Sequence, residues 1–172
     1  MVCILFICHG NICCSTMAEY VMKHLVLNAG LEDAFEIESA ATTREEIGND
    51  IHPGTRQVLQ EHGIVCGHHA SRQMGSADHL HFDYLIGMDQ ENLAGIYRLL
   101  LGEKGMGYSW RPVSKEEIRC ADPEGKVSLL LSWARLARDV ADPWYTGDFD
   151  ATYCDVMLGC TKLLEAVTSD LR

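Results

Sequence analysis

Residues 7–15, Ile7-Cys8-His9-Gly10-Asn11-Ile12-Cys13-Cys14-Ser15, restrict the fold of this chain more than any other stretch. They follow an apolar run, Val2 to Ile7, whose length and β-branched content suit a buried strand. After them comes Thr16 to Leu27, with apolar residues at helical spacing. A strand, a tight glycine-containing loop and a helix together make an anion cradle. Successive backbone N–H groups converge there and the helix dipole adds its positive end. The loop is therefore expected to take inorganic phosphate or sulfate. Thiolates are stabilised at helix N-termini, so Cys8 is placed to act as a nucleophile toward a phosphate or another oxyanion. Gly10 fits a point of close backbone approach or positive φ. Asn11 tolerates a left-handed conformation and can hold the loop through its side chain.

The rest of the chain alternates strand-like and helix-like segments. Phe35 to Ala40 alternates as a second, shorter strand. His52 to Glu61 reads as a helix, with Pro53 in its first turn and Gly63 at its C-terminal end. Asp83 to Met88 is a third strand, and Asp89 is placed to cap a helix from Gln90 to Leu101. Lys126 to Ser132 reads equally as a fourth strand or a helical turn. Asp148 to Leu171 carries a long apolar period that ends the chain as a helix. Strands separated by helices of this size imply an α/β fold with a parallel sheet covered on both faces. The chain reads as one domain over 1–172, without repeats or linkers. The segment Gly102 to Arg119, with three glycines and a proline, is expected to be a surface insertion. It is either a lid or docking loop carrying Tyr108 and Trp110, or a tolerated insertion whose aromatics pack back on the body.

Charge narrows the list of partners. The formal net charge of −11 argues against nucleic acid or an anionic membrane. No apolar run approaches the roughly 20 residues of a membrane span. The N-terminal apolar run is too short, and lacks the basic flank, for a signal peptide. Eight cysteines without such a signal suggest a reducing cytoplasm rather than a disulfide framework. The spacing of Cys8, Cys13 and Cys14 matches no metal-binding pattern, so neither a metal nor a cofactor is expected there.

The loop resembles the signature of the low-molecular-weight protein tyrosine phosphatases, Cys-x-Gly-Asn-x-Cys-Arg-Ser. Every fixed position matches except one: Cys14 stands where the family has arginine. The likeness continues in Ser39-Ala40-Ala41-Thr42, Ile47-Gly48-Asn49 and His69-Ala70-Ser71-Arg72-Gln73. It resumes in Phe82 to Asp89 with Asn92-Leu93, and in Asp142-Pro143-Trp144-Tyr145, in the family's order along nearly the whole chain. This resemblance implies a small, doubly wound, four-stranded parallel sheet with its site beyond the carboxyl ends of the strands.

It also implies roles. Cys8 is the nucleophile that forms a thiophosphate, and the loop His9, Gly10, Asn11, Ile12, Cys13 and Ser15 binds the phosphate. Ser15 steadies the thiolate, a helix cap being its plainer role. Asp142 is the general acid, which then activates water; its plainer reading is an ordinary Asp-Pro turn. Trp144 and Tyr145 form an aromatic wall, and the substrate rim includes His9, Ile12 and the segment Arg44-Glu45-Glu46, in which Glu45 stands where relatives carry an aromatic. His69, Arg72 and Asp89 support the loop from behind, although Asp89 reads first as a helix cap and Arg72 as an exposed ion pair. The expected substrate is a phosphotyrosine protein or a small aryl phosphate. Cys14 cannot form the arginine's bidentate clamp on phosphate oxygens, so severely impaired turnover is expected. Two alternatives stand beside a crippled phosphatase. One is a phosphate-binding pseudophosphatase. The other is a redox-responsive thiol protein using Cys8, Cys13 and Cys14, with the first two spaced as a reversible disulfide pair.

Overall fold

The computed structural model describes residues 1–103 and 111–169. Strand β1 (Val2–Cys8) lies inside a parallel sheet, between β2 (Phe35–Ala41) and β3 (Tyr84–Gly87). The fourth strand, β4 (Val127–Leu129), pairs outside β3, giving the order β2-β1-β3-β4. A strand buried on both faces must be apolar throughout, which accounts for the unbroken run in β1. Ile4, Phe6 and Cys8 point into a core shared with α1 (Cys14–Asn28) and the long terminal helix over Phe149–Ser169. Cys3, Leu5 and Ile7 point the other way, toward Phe82, Ile96 and Val127.

The helix over Pro53–Glu61, α2, starts at His52, whose ring accepts from Gly54 N at 3.1 Å. Pro53 occupies its first turn, and Gly63 beyond its end has φ 73°. The helix α4 (Gln90–Leu100) is capped by Asp89 as expected. The ambiguous stretch after Lys126 is both things in turn: three residues of β4, then a 3-10 turn over Leu130–Ala134.

Three short helices escape the sequence pattern because each is held by local hydrogen bonds rather than by an apolar stripe. These are α3 (Ser76–His81), α5 (Lys115–Ala121) and α6 (Pro143–Thr146). Helix α5 is closed by a capping box in which Ser114 and Glu117 satisfy each other's backbone N–H groups. It falls partly within the segment read as an insertion, so residues 115–119 are helical and Ile118 packs on the sheet's second face. Tyr108 and Trp110 lie outside the described residues.

The chain runs from β1 to β2 on one side and then crosses to β3 on the other. The switch opens a crevice at the carboxyl ends of β1 and β3, where doubly wound folds bind ligands. The terminal helix, α7 (Phe149–Ser169), closes the opposite core layer against the 3-10 turn. A Cβ on Gly159 of α7 would sit 2.5 Å from Leu130 Cγ, and Leu130 is fully buried. Gly159→Ala is therefore expected to lose about 1–3 kcal/mol of unfolding free energy to overpacking, more than the helix-propensity gain of ~1 kcal/mol. Urea unfolding checks this, and a variant as stable as the parent would refute the tight contact.

Candidate active site

The residues after β1 form a loop whose carbonyl groups are all tied down from outside. Thr42 N donates to Cys8 O at 2.9 Å, and Thr43 N and Oγ1 donate to His9 O at 3.2 and 3.1 Å. Ser71 Oγ donates to Gly10 O at 2.7 Å and His69 Nε2 to Asn11 O at 2.9 Å. His52 N donates to Ile12 O at 2.9 Å, while Met17 N and Thr16 Oγ1 reach Cys13 O. With six successive carbonyls engaged this way, the N–H groups are what the loop has left to offer an anion. His69 must carry its proton on Nε2 to serve a carbonyl.

Asn11 holds the loop's shape. Its φ of 59° is left-handed, and it is fully buried. Its Nδ2 donates to Ser15 Oγ at 3.0 Å and to Ser39 Oγ at 2.8 Å, and its Oδ1 accepts from Arg72 N at 3.3 Å. Ser39 Oγ in turn donates a hydrogen bond to Glu19 Oε2 at 2.5 Å. Because Ser15 Oγ accepts from Asn11, its hydroxyl proton is left for Cys8 Sγ, 3.0 Å away. Asn11 N also donates to that sulfur, at 3.2 Å. Ser15 is inside α1 rather than at its start. Cys13 is the cap residue, with no side-chain hydrogen bond, so the helix-cap reading of Ser15 fails. Gly10 does not need a positive φ; a Cβ there would meet Glu46 Cγ at 3.0 Å, and that contact is its constraint.

Above the loop is a cavity lined by Cys8, His9, Gly10, Ile12, Cys13 and Cys14 on one side. Asp89, Asp142, Trp144 and Tyr145 line the other, so the structure gathers most of the residues singled out from sequence. Asp142 caps α6, with Oδ1 accepting from Trp144 N at 2.9 Å. The Asp-Pro pair is thus a helix start that also faces the cavity. Trp144 and Tyr145 are strongly exposed at its mouth. His9 Nε2 lies 2.9 Å from Glu45 Oε2 across the rim.

His69 and Arg72 do not reach the cavity. Arg72 acts on the loop through its main chain alone, because its guanidinium is committed to Glu38 at 2.9 Å and Asp78 at 3.0 Å. It is not available to an anion in the cavity.

The lining also contains Glu46, from the rim segment read in the sequence, Met88 and Asn92, from a matched block, and Glu91 and Val140, which the sequence did not single out. Glu46 adjoins Glu45, and Glu91 lies on the first turn of α4. A sequence signal existed for both, since acidic residues flank two of the matched blocks. Five carboxylates (Glu45, Glu46, Asp89, Glu91 and Asp142) border this cavity, and no lysine or arginine does among the described residues. Burial, then the neighbouring Cys8, pushes the Cys13 thiol up to about 12. The same two causes, followed by Asp142, hold the Cys14 thiol well above its ordinary range. Burial also raises Asp89 to about 6; the Asn92 N–H opposes this at 2.6 Å, and Asp139, Glu91 and Asp142 add to the rise.

A family profile for low molecular weight phosphotyrosine protein phosphatase matches residues 3–123. The chain is 34% identical to the low molecular weight protein-tyrosine-phosphatase YfkJ of Bacillus subtilis, over 99% of this chain and 98% of that protein. It is 30% identical to PtpA of Staphylococcus saprophyticus, over 99% and 96% of the two chains. The crystal structure of YfkJ superposes with a TM-score of 0.84 over 100% of this chain and 98% of that one, at 31% identity. That of SP-PTP from Streptococcus pyogenes gives 0.75 over 96% and 93%, at 35% identity.

Two outcomes follow from the geometry. Asn11→Ala combines left-handed strain with buried hydroxyls stripped of their donor, so unfolding free energy should fall by about 2–4 kcal/mol. A loss below about 1 kcal/mol in denaturant titration would mean that Asn11 does not hold the loop. Asp89 binds its proton more tightly folded than unfolded, so its ionisation costs stability as pH rises from about 4 toward 7. Asp89→Asn, which retains a capping oxygen, should gain stability relative to the parent over that interval. Parallel unfolding curves at both ends of the range would contradict the raised value.

Proposed function

The chain belongs to the low-molecular-weight protein tyrosine phosphatase family, and from this we propose that it hydrolyses phosphotyrosine or small aryl phosphate monoesters, slowly, through Cys8. The observation that carries this reading is the placement of Cys8 Sγ. It lies within reach of the Ser15 hydroxyl and the Asn11 N–H, in the cavity that Asp142 also lines.

In the first step the Cys8 thiolate attacks phosphorus and the P–O bond to the aryl group breaks. The departing oxygen takes the Asp142 proton. In the second, the Asp142 carboxylate takes a proton from water as that water's oxygen attacks phosphorus. The P–S bond breaks and Cys8 leaves as a thiolate, steadied by the Ser15 O–H. Loop N–H groups and the α1 dipole hold the phosphoryl oxygens throughout. Trp144 and Tyr145 provide apolar surface for the aryl group, and the acidic rim disfavours acidic peptides. Position 14 is where this chemistry is weakest. Cysteine supplies no positive charge to follow the phosphoryl oxygens into the transition state.

A redox role is the second reading. It is favoured by three thiols, Cys8, Cys13 and Cys14, bordering one cavity. A phosphate-binding role without turnover is less well supported, because Asp142, a general acid that a pure binder does not need, lines the cavity.

Turnover of an aryl phosphate at mildly acidic pH tests the proposal. Cys14→Arg should raise kcat/KM by on the order of 10²–10³, the value of a preorganised charge-stabilising donor. Cys8→Ser should abolish turnover in both backgrounds. A parent whose rate is unmoved by Cys14→Arg, or a Cys8→Ser variant that still turns over, would overturn it.

A further inference from the structure

At the amino ends of the strands, opposite the cavity, three side chains of metal-ligating type converge. Cys3 of β1 and Glu36 of β2 are paired in register, so their side chains leave the same face of the sheet. Cys3 Sγ lies 3.7 Å from Glu36 Oε2. His81, the last residue of α3, brings Nε2 to 2.7 Å from Glu36 Oε1. One donor atom from each of the three lies within 4.8 Å of the other two, and among the described residues no other such trio converges as closely.

We propose that Cys3, Glu36 and His81 bind a divalent cation of borderline softness, with Zn²⁺ the ion they fit. The donor set is the first ground. One sulfur, one imidazole nitrogen and one carboxylate oxygen suit zinc and are poorly matched to magnesium or calcium. Spacing is the second. Tetrahedral bonds of about 2.0–2.3 Å place donor atoms roughly 3.3–3.6 Å apart. The sulfur already lies near this separation from one Glu36 oxygen, and the imidazole, on an exposed side chain that now meets the other oxygen, has the freedom to close the remaining separations from within 4.8 Å. Support is the third. Cys3 and Glu36 sit on neighbouring strands of the sheet, and the His81 ring meets Phe82 edge-on at 4.8 Å. Charge is the fourth. Asp83 accepts from Cys3 N at 2.8 Å, and Glu38 and Asp78 stand nearby. Part of that negative charge is neutralised by Arg72, which pairs with Glu38 and Asp78 but not with Glu36. Cys3 is buried at the back and His81 is exposed at the mouth, so an ion enters from solvent. Three ligands leave a fourth position for water. Binding takes the thiol proton from Cys3, releases it to solvent and forms the metal–sulfur bond in its place.

Titration of the reduced full-length chain with Co²⁺ tests this, reading the thiolate-to-cobalt charge-transfer band and the visible bands of tetrahedral cobalt. The expected result is saturation at about one equivalent, with Zn²⁺ displacing the colour. Charge transfer should vanish in Cys3→Ser, and affinity should fall at least about tenfold in His81→Ala, while Cys8→Ser binds like the parent. His81 is on the surface, so its variant remains informative if Cys3→Ser folds poorly by circular dichroism. The proposal is overturned by the absence of a charge-transfer band. It is equally overturned by a band that survives in His81→Ala with unchanged affinity, or by one lost in Cys8→Ser, which would place the ion in the phosphate loop.

Discussion

The tethering of six consecutive carbonyl groups in the loop after β1 is the constraint on which the candidate site depends. A tight loop with both its donors and acceptors free could collapse on itself. Here Thr42, Thr43, Ser71, His69, His52 and the first turn of α1 engage every carbonyl from Cys8 to Cys13. Asn11 then fixes the one left-handed residue with three side-chain hydrogen bonds. In the buried chain Glu19–Ser39–Asn11–Ser15–Cys8 the Asn11 amide donates both ways, turning the Ser39 hydroxyl toward Glu19 and the Ser15 hydroxyl toward the sulfur. Buried polar chains of this kind specify one arrangement because each unsatisfied member would cost about 1–3 kcal/mol. The tethers also explain why loop-supporting residues are scattered over sixty positions of sequence.

Electrostatics oppose the geometry. The loop is shaped for an anion, yet the cavity above it is bordered by five carboxylates and by no lysine or arginine among the described residues. Among the described residues, a phosphate is offered main-chain N–H groups, a helix terminus worth roughly half an elementary charge, and the rim imidazole of His9, which is already engaged by Glu45. Cys14 is a buried thiol held well above its ordinary range, and so brings no positive charge to the cavity. The proposed slow turnover rests on this mismatch between an anion-shaped loop and acidic surroundings. The raised Asp89 belongs to the same picture, since it is a carboxyl pushed toward neutrality by burial and by other acids.

Much of this was legible in sequence, and for identifiable reasons. The apolar run of β1 and the glycine-containing loop are local patterns, and the left-handed Asn11 follows from its residue type. The proline in the first turn of α2 and the cap at Asp89 are likewise local. The short helices α3, α5 and α6 were missed because hydrogen bonds over three or four residues hold them, with no stripe long enough to show a period. Of the two readings of Ser15, the contact with the Cys8 sulfur is present and the cap is not, because Ser15 lies inside α1. The acidity of the cavity was legible only in part, through Glu45 and Glu46. Glu91, 45 positions beyond Glu46, lines the same cavity only because the loop after β2 and the start of α4 converge at the sheet's switch point. The Cys3–Glu36–His81 cluster has the same origin, joining three elements by strand register and helix placement, which no local spacing records.

The central claim is that a correctly built phosphate cradle is disabled by the absence of one cation. Calorimetric titration with inorganic phosphate measures this without relying on catalysis. The account predicts weak binding by the parent and at least about tenfold tighter binding by Cys14→Arg, with the tethering network unchanged. A parent that binds phosphate as tightly as Cys14→Arg would contradict it, showing that the loop's N–H groups suffice despite the acidic surroundings.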